Sequence, residues 1–245
     1  LKGVDRNNYY RTQYGPQPLE NGFLSLRKFL LYILFTGLLA FFCGAYLIWL
    51  RGLSALILFL MGAFFLLFYT WPLKYYGLGE FAVLLVWGPL MIGGTYFITA
   101  GEWSWLVVLA GLPYALGVTT VLFGKHIDKL EEDKIKGINT LPEIIGESAA
   151  RKTVIVLSAL QYIIVILLVV FKVFHPVLLL PLLALINFYS LVKAFGKELP
   201  GEKPEGYRSD IWPLWFVAFA FDHNKKFGGL FLLGLLLQLF IAKVL

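Results

Sequence analysis

Apolar runs of eighteen residues or more recur along this chain of 245 residues, and each is long enough to cross a bilayer as a helix. Backbone amides in hydrocarbon find no partner outside their own segment, so such runs are predicted to form helices packed as a bundle. Composition agrees. Hydrophobic residues make up 59% of the chain and charged ones 15%, with a mean hydropathy of +0.77, whereas soluble domains are about a quarter charged. The predicted fold is a single all-α, polytopic transmembrane helix bundle spanning residues 1–245.

Seven spans stand out by length and apolarity: 29–50, 53–71, 80–98, 103–123, 153–171, 176–195 and 228–244. An eighth apolar stretch, 211–221, contains Pro213 and is rich in Trp and Phe, which reads as an interfacial segment rather than a crossing. Gly88, Gly93, Gly94, Gly111 and Gly117 allow close helix approach. Gln161, Asn187 and Tyr189 fall within spans, where interhelical hydrogen bonding is the usual use of such side chains. On this division no acid lies inside a span beyond Glu80, the first residue of the third.

Alternate loops of seven crossings fall on opposite sides. Of the 21 Lys and Arg residues, 18 gather on one side, and only Arg51, Lys172 and Lys243 fall on the other. The positive-inside rule makes the first side cytoplasmic in a cell membrane. Fourteen of the 15 acids lie there too, which the rule does not require, so the working face is expected there. A net charge of +6 would suggest nucleic acid in a soluble chain; here the distribution across the membrane is what matters, and no nucleic-acid partner is expected. The single Cys43 excludes a disulfide framework within the chain. The chain starts at Leu1 without a signal-peptide pattern, which leads us to expect further sequence upstream.

The densest polar stretch runs from Gly124 to Pro142 and holds Asp128, Glu131, Glu132 and Asp133 interleaved with lysines. A diphosphate is commonly held through Mg²⁺ bridged by one or two carboxylates, with cations for its remaining oxygens. On a helix Asp128 and Glu132 share a face, while Asp133 lies about 140° around from Asp128. Gly137 permits a chain reversal. Thr140 and Pro142 fit a new helix start, with Glu143 in its first turn. A solvated loop of Lys–Glu pairs is the plainer alternative.

The segment from Asp133 to Gly146 resembles the second aspartate-rich motif of UbiA-type membrane prenyltransferases, an Asp-x3-Gly-x2-Thr-Leu-x4-Gly pattern matched by Asp133, Gly137, Thr140, Leu141 and Gly146. That family carries a further Asp four positions before the last one. Lys129 stands there in this chain, with Asp128 one step earlier. Either the loop has one extra residue or Glu132 is the partner acid. Pro72 to Glu80, followed by Gly88-Pro89 and Gly94-Thr95-Tyr96, is similar to the dihydroxynaphthoate (menaquinone-pathway) prenyltransferase branch. Gly3 to Arg6, Arg11-Thr12, Pro18, Gly22 and Ser25 resemble the tail of the family's first aspartate-rich motif and the segment after it. Gln17 replaces the Arg often found before the matched Pro.

The resemblance implies nine helices in a complete protein, of which two would lie upstream. It implies Mg²⁺-dependent transfer of a polyprenyl group from its diphosphate to a small aromatic, quinone-precursor-like acceptor. Asp5, Asp128, Glu132 and Asp133 would hold the metal. Lys74, Lys129 and Arg11 would meet the diphosphate, Tyr96 would face the reactive carbon, and Asp128, Asp133 and Lys74 would form the catalytic set. His126 is a further candidate phosphate contact, and Glu80 reads as a helix-capping charge. Trp212, Trp215, His223 and Lys225 read as an interfacial anchor. Two alternatives remain: the same chemistry on a lipid glycerol, chlorin, haem or sugar phosphate, or a non-enzymatic transporter with a cation-binding loop.

Overall fold

The computed structural model describes residues 18–19, 21–209 and 211–244. Seven apolar helices carry the fold: α1 (Leu26–Arg51), α2 (Leu53–Phe68), α3 (Gly79–Ala100), α4 (Trp105–Asp128) and, after the short α5 (Leu130–Ile135) and α6 (Leu141–Ile145), α7 (Glu147–Val170), α8 (Pro176–Phe195) and α9 (Phe216–Val244). Among the described residues there is no strand. The chain is an all-α, multi-pass membrane protein, with six of these helices long and apolar enough to cross. The 16-residue α2 is about 24 Å long, short of the roughly 30 Å hydrocarbon core.

The ends follow local chemistry. Ser25 and Ser104 accept from the backbone N–H three residues on, opening α1 and α4, and Gly52 and Gly101 close the preceding helices with positive φ. Within α3, Pro89 offers no N–H, and residues Val86–Gly93 widen into a π turn.

The largest departure from expectation is at the last span. Helix α9 begins at Phe216, twelve residues before the predicted start, and Phe216 and Ala220 are fully buried. The 211–221 stretch is therefore half loop and half core helix. The polar residues after it, Asp222, His223 and Lys225, belong to a spanning helix, so the acid-free reading of the spans does not hold. His223 is buried against Tyr162, 2.9 Å between Nε2 and the hydroxyl, and is no part of an interfacial anchor. Asn187 donates to Asp222 at 2.6 Å, and Gln161 to the Pro113 carbonyl at 2.7 Å. Both are the interhelical bonds expected of polar groups in lipid.

Helix α4 is the hub, touching α3, α7 and α9. Its glycines make this possible at two points. A Cβ on Gly124 would stand 2.9 Å from the backbone of Val217, and one on Gly117 would overlap Asn224 and Gln161. Helices α4 and α9 thus meet backbone to backbone at one membrane end.

The loops sort to two ends as predicted. At one, Tyr76 bridges Asn139, and the N-terminus of α9 lies against Gly124. At the other, the Arg51 guanidinium donates to the carbonyls of Ile98 (2.7 Å) and Thr99 (2.9 Å).

Candidate functional site

The first end, called the rim here, is assembled from three loops. The 3₁₀ turn Leu73–Tyr75 carries Lys74. The C-terminal turn of α4 carries Lys125 and ends at Lys129. Helix α5 carries Glu132 and Asp133. Gly137 (φ 65°) reverses the chain, its N–H on Lys134 O, and Ile138 N–H donates to Asp133 O at 2.9 Å. Thr140 then opens α6 with Pro142 and Glu143 in its first turn. The turn chemistry read from the sequence is what the backbone adopts.

Asp133 is the focus. Only 2% of it is exposed, its Oδ1 lies 3.9 Å from Lys74 Nζ, and its Oδ2 is buried with no hydrogen-bond partner among the described residues. Lys125 interacts electrostatically with Lys74, Lys129 and Asp133. Lys74 and Lys125 therefore both face one buried carboxylate, with Lys129 next to Lys125, a gathering of positive charge suited to a polyanion. Lys129 also pairs with Glu132 at 3.8 Å.

The remaining predicted residues sort differently. Asp128 is not part of this cluster. Its Oδ1 accepts from Phe216 N–H (2.8 Å) and its Oδ2 from Val217 N–H (2.9 Å), so its charge caps α9 at the positive end of the helix dipole. Asp128, expected to ligate metal as part of a catalytic set, is placed by the structure in this capping role. The reason is geometric: Gly124 admits the α9 backbone, and α9 brings its free amides to the carboxylate one turn later. Tyr207 hydrogen-bonds Leu214 O at 2.6 Å above this cap. Burial first, and the Asp128 carboxylate second, push its hydroxyl up to about 12, so it acts there as a donor.

Tyr96 is not at the rim. It lies near the far end of α3, its hydroxyl 3.3 Å from Glu102 Oε1, and sixteen residues of helix from Glu80 amount to about 24 Å. Asp5 and Arg11 lie outside the described residues. Among the described residues, no three Asp, Glu, His or Cys side chains converge as a metal cage.

Sequence reading missed two features. Lys125 stands one helical turn before Lys129, a spacing that places both on one face, and that register was visible in the sequence. Glu80 and His126 form a buried pair, Oε1 to Nδ1 2.6 Å, each 2% exposed. They are 46 residues apart and no local pattern joins them. Glu80 is thus more than a capping charge, and His126 is turned to Glu80 instead of phosphate.

The chain thus has the form of an all-helical membrane bundle with a buried Asp faced by lysines at one end. Residues 5–200 match the UbiA prenyltransferase family, and the chain belongs to that family. It is similar to "UbiA prenyltransferase domain-containing protein 1" of Rattus norvegicus, 30% identical over 171 residues covering 66% of this chain and 49% of that protein. The Drosophila melanogaster homologue is 27% identical over 153 residues, covering 62% and 40%. The "2-carboxy-1,4-naphthoquinone phytyltransferase" of Synechocystis sp. is 30% identical over 83 residues, covering 32% and 27%. The chain spans about half the length of the first of these relatives.

Proposed function

We propose that this protein transfers a polyprenyl group from its diphosphate to an aromatic, quinone-precursor-like acceptor, with the rim facing the cytoplasm of a cell membrane. The observation that carries the reading is Asp133, buried with an unpartnered oxygen and faced by Lys74 and Lys125. A lone buried carboxylate oxygen is costly, and a divalent cation would satisfy it, so the residues fit the family's Mg²⁺. Asp133 would hold that ion, with Glu132 and Asp5 as further candidate ligands. When bound, Mg²⁺ neutralises diphosphate charge. Of the predicted metal set, Asp128 is committed to capping α9.

The lysines do the remaining electrostatic work. As the allylic C–O bond breaks, negative charge grows on the departing diphosphate, and cations already fixed beside it lower that barrier. Lys74 and Lys125 are the primary candidates, Lys129 a third that shares Glu132. The acceptor ring forms the new carbon–carbon bond and gives up a proton. The name of the Synechocystis relative, a carboxynaphthoquinone phytyltransferase, favours a quinone precursor over the other acceptors considered.

The test is transfer of a labelled prenyl diphosphate to hydroxynaphthoate and to a panel of other acceptors, with and without Mg²⁺, by the protein in lipid nanodiscs. Mg²⁺-dependent product that disappears in Asp133→Ala is the expected result. Equal transfer by Asp133→Ala would reject the site; diphosphate binding without transfer to any acceptor would reject the reaction.

A further inference from the structure

Away from the rim, a cavity of about 770 Å³ opens between α3, α4 and α9, walled by apolar groups such as Ile92, Val107 and Phe231. Among the described residues, its only nonaromatic polar side chains are Asn224 and Lys225, with Tyr114 on the facing helix. Lys225 lies nine residues into α9, about 14 Å below the rim. An ionisable residue in a spanning helix asks for a partner. Among the described residues no carboxylate pairs with it: Asp222, three residues earlier, is held by Asn187 at 2.6 Å. Lys226 does not line the cavity. The pocket therefore offers one cation and one amide at an otherwise greasy wall.

We propose that Lys225, with Asn224, is the acid-recognition element of this cavity, binding the carboxylate of an aromatic acceptor whose ring occupies the apolar space beside Tyr114. The identity of the occupant rests on the prenyltransferase reading; the anion site does not. Tyr114 lies eleven residues before Lys125 on α4, about 16 Å along the helix. The acceptor's acid and the prenyl diphosphate are thus served by separate cations. A carboxylate buried without Lys225 would be strongly disfavoured, so the residue selects acidic acceptors over neutral ones. Gly117 contributes room: any side chain there would collide with Asn224.

Binding of hydroxynaphthoate and of naphthol to the purified protein, read by tryptophan fluorescence and thermal unfolding, tests this. Lys225→Gln is expected to weaken hydroxynaphthoate by about tenfold or more and naphthol by less than about twofold, with Lys225→Arg retaining most affinity. Lys226→Gln is the neighbouring control and leaves both unchanged. Equal loss for the two ligands, equal loss in the two Gln variants, or no binding of hydroxynaphthoate by the unaltered protein would overturn the proposal. So would Lys225-dependent displacement of hydroxynaphthoate by phosphatidylglycerol in nanodiscs, which would make the occupant a lipid. The two readings fail separately. Lys225-dependent binding with no transfer sinks the reaction and keeps the anion site. Transfer by Lys225→Gln with an unchanged KM for hydroxynaphthoate sinks the anion site and keeps the reaction.

Discussion

Helices α1 and α4 are almost the same length, 26 and 24 residues, and both are apolar enough to span. Yet α1 buries no residue, while α4 buries thirteen. In a membrane, apolarity does not separate a helix that faces lipid from one that faces protein, because lipid is as apolar as leucine. What separates them is small and polar residues. Helix α4 places Gly111, Gly117, Gly124, Thr119 and Thr120 against its neighbours, and then carries the site's Lys125 and the Asp128 cap at its end. Among the described residues, the α1–α2 hairpin has Ala55 as its one buried residue. Function and packing coincide on the hub.

The sharpest way to break this comparison is at the rim. Asp133→Ala is expected to lower prenyl transfer at least about 1,000-fold, near 4 kcal/mol of transition-state stabilisation, while size-exclusion and helical circular dichroism stay unchanged. A transfer loss below tenfold would mean that the hub carries structure but not chemistry.

Next in size is a pair of glycines. Gly124→Leu would drive a side chain into the Val217 backbone and is expected to cost about 3 kcal/mol or more, since backbone cannot repack around it. Gly37→Leu, on α1, meets open space and is expected to be neutral or slightly stabilising through helix propensity, by up to about 1 kcal/mol. Thermal unfolding in one detergent ranks them. Equal losses would show that α1 has a partner face after all.

How much of this was legible follows the same division. The spans, the two-ended sorting of loops and the Gly137–Thr140–Pro142 turn were readable, since each rests on local periodicity or backbone chemistry. The start of α9 was not. Asp222, His223, Lys225 and Lys226 look like a loop in hydropathy terms, and the bonds of His223 to Tyr162 and of Asp222 to Asn187 join residues too distant in sequence to be read locally. The bonding of Asp128 to α9 was hidden for a related reason. A carboxylate beside three others looks like a ligand, and nothing local reveals that α9, about ninety residues later, brings it two amides. Tyr96 could have been set aside by helix length alone.

A smaller effect is expected from Lys125→Gln. Removing one of the two ammonium groups that face Asp133 should raise the KM for prenyl diphosphate about tenfold at low salt, with a lesser change in kcat, because Lys74 remains. The same substitution at Lys28, in the first turn of α1, is the matching control and should leave both constants within about twofold. An unchanged KM in Lys125→Gln would remove the one site residue that the structure added to the lysine set.

The smallest contrast compares two helix caps. Asp128 accepts two backbone N–H bonds while 5% exposed; Ser25 accepts one, at 3.4 Å, in an exposed position. Loss of a cap costs about 0.5–2 kcal/mol. Asp128→Ala should fall at the top of that range and Ser25→Ala at the bottom. Burial sets the order: water can replace the serine oxygen, whereas the amides of Phe216 and Val217 sit where water is scarce and would be left unpaired. Asp128→Asn separates capping from charge. Its amide oxygen can still accept one bond, so stability should recover by about half, and prenyl transfer should recover with it if Asp128 acts only through the position of α9. Recovered stability with transfer still abolished would return Asp128 to the reacting centre and undo the separation between cap and site.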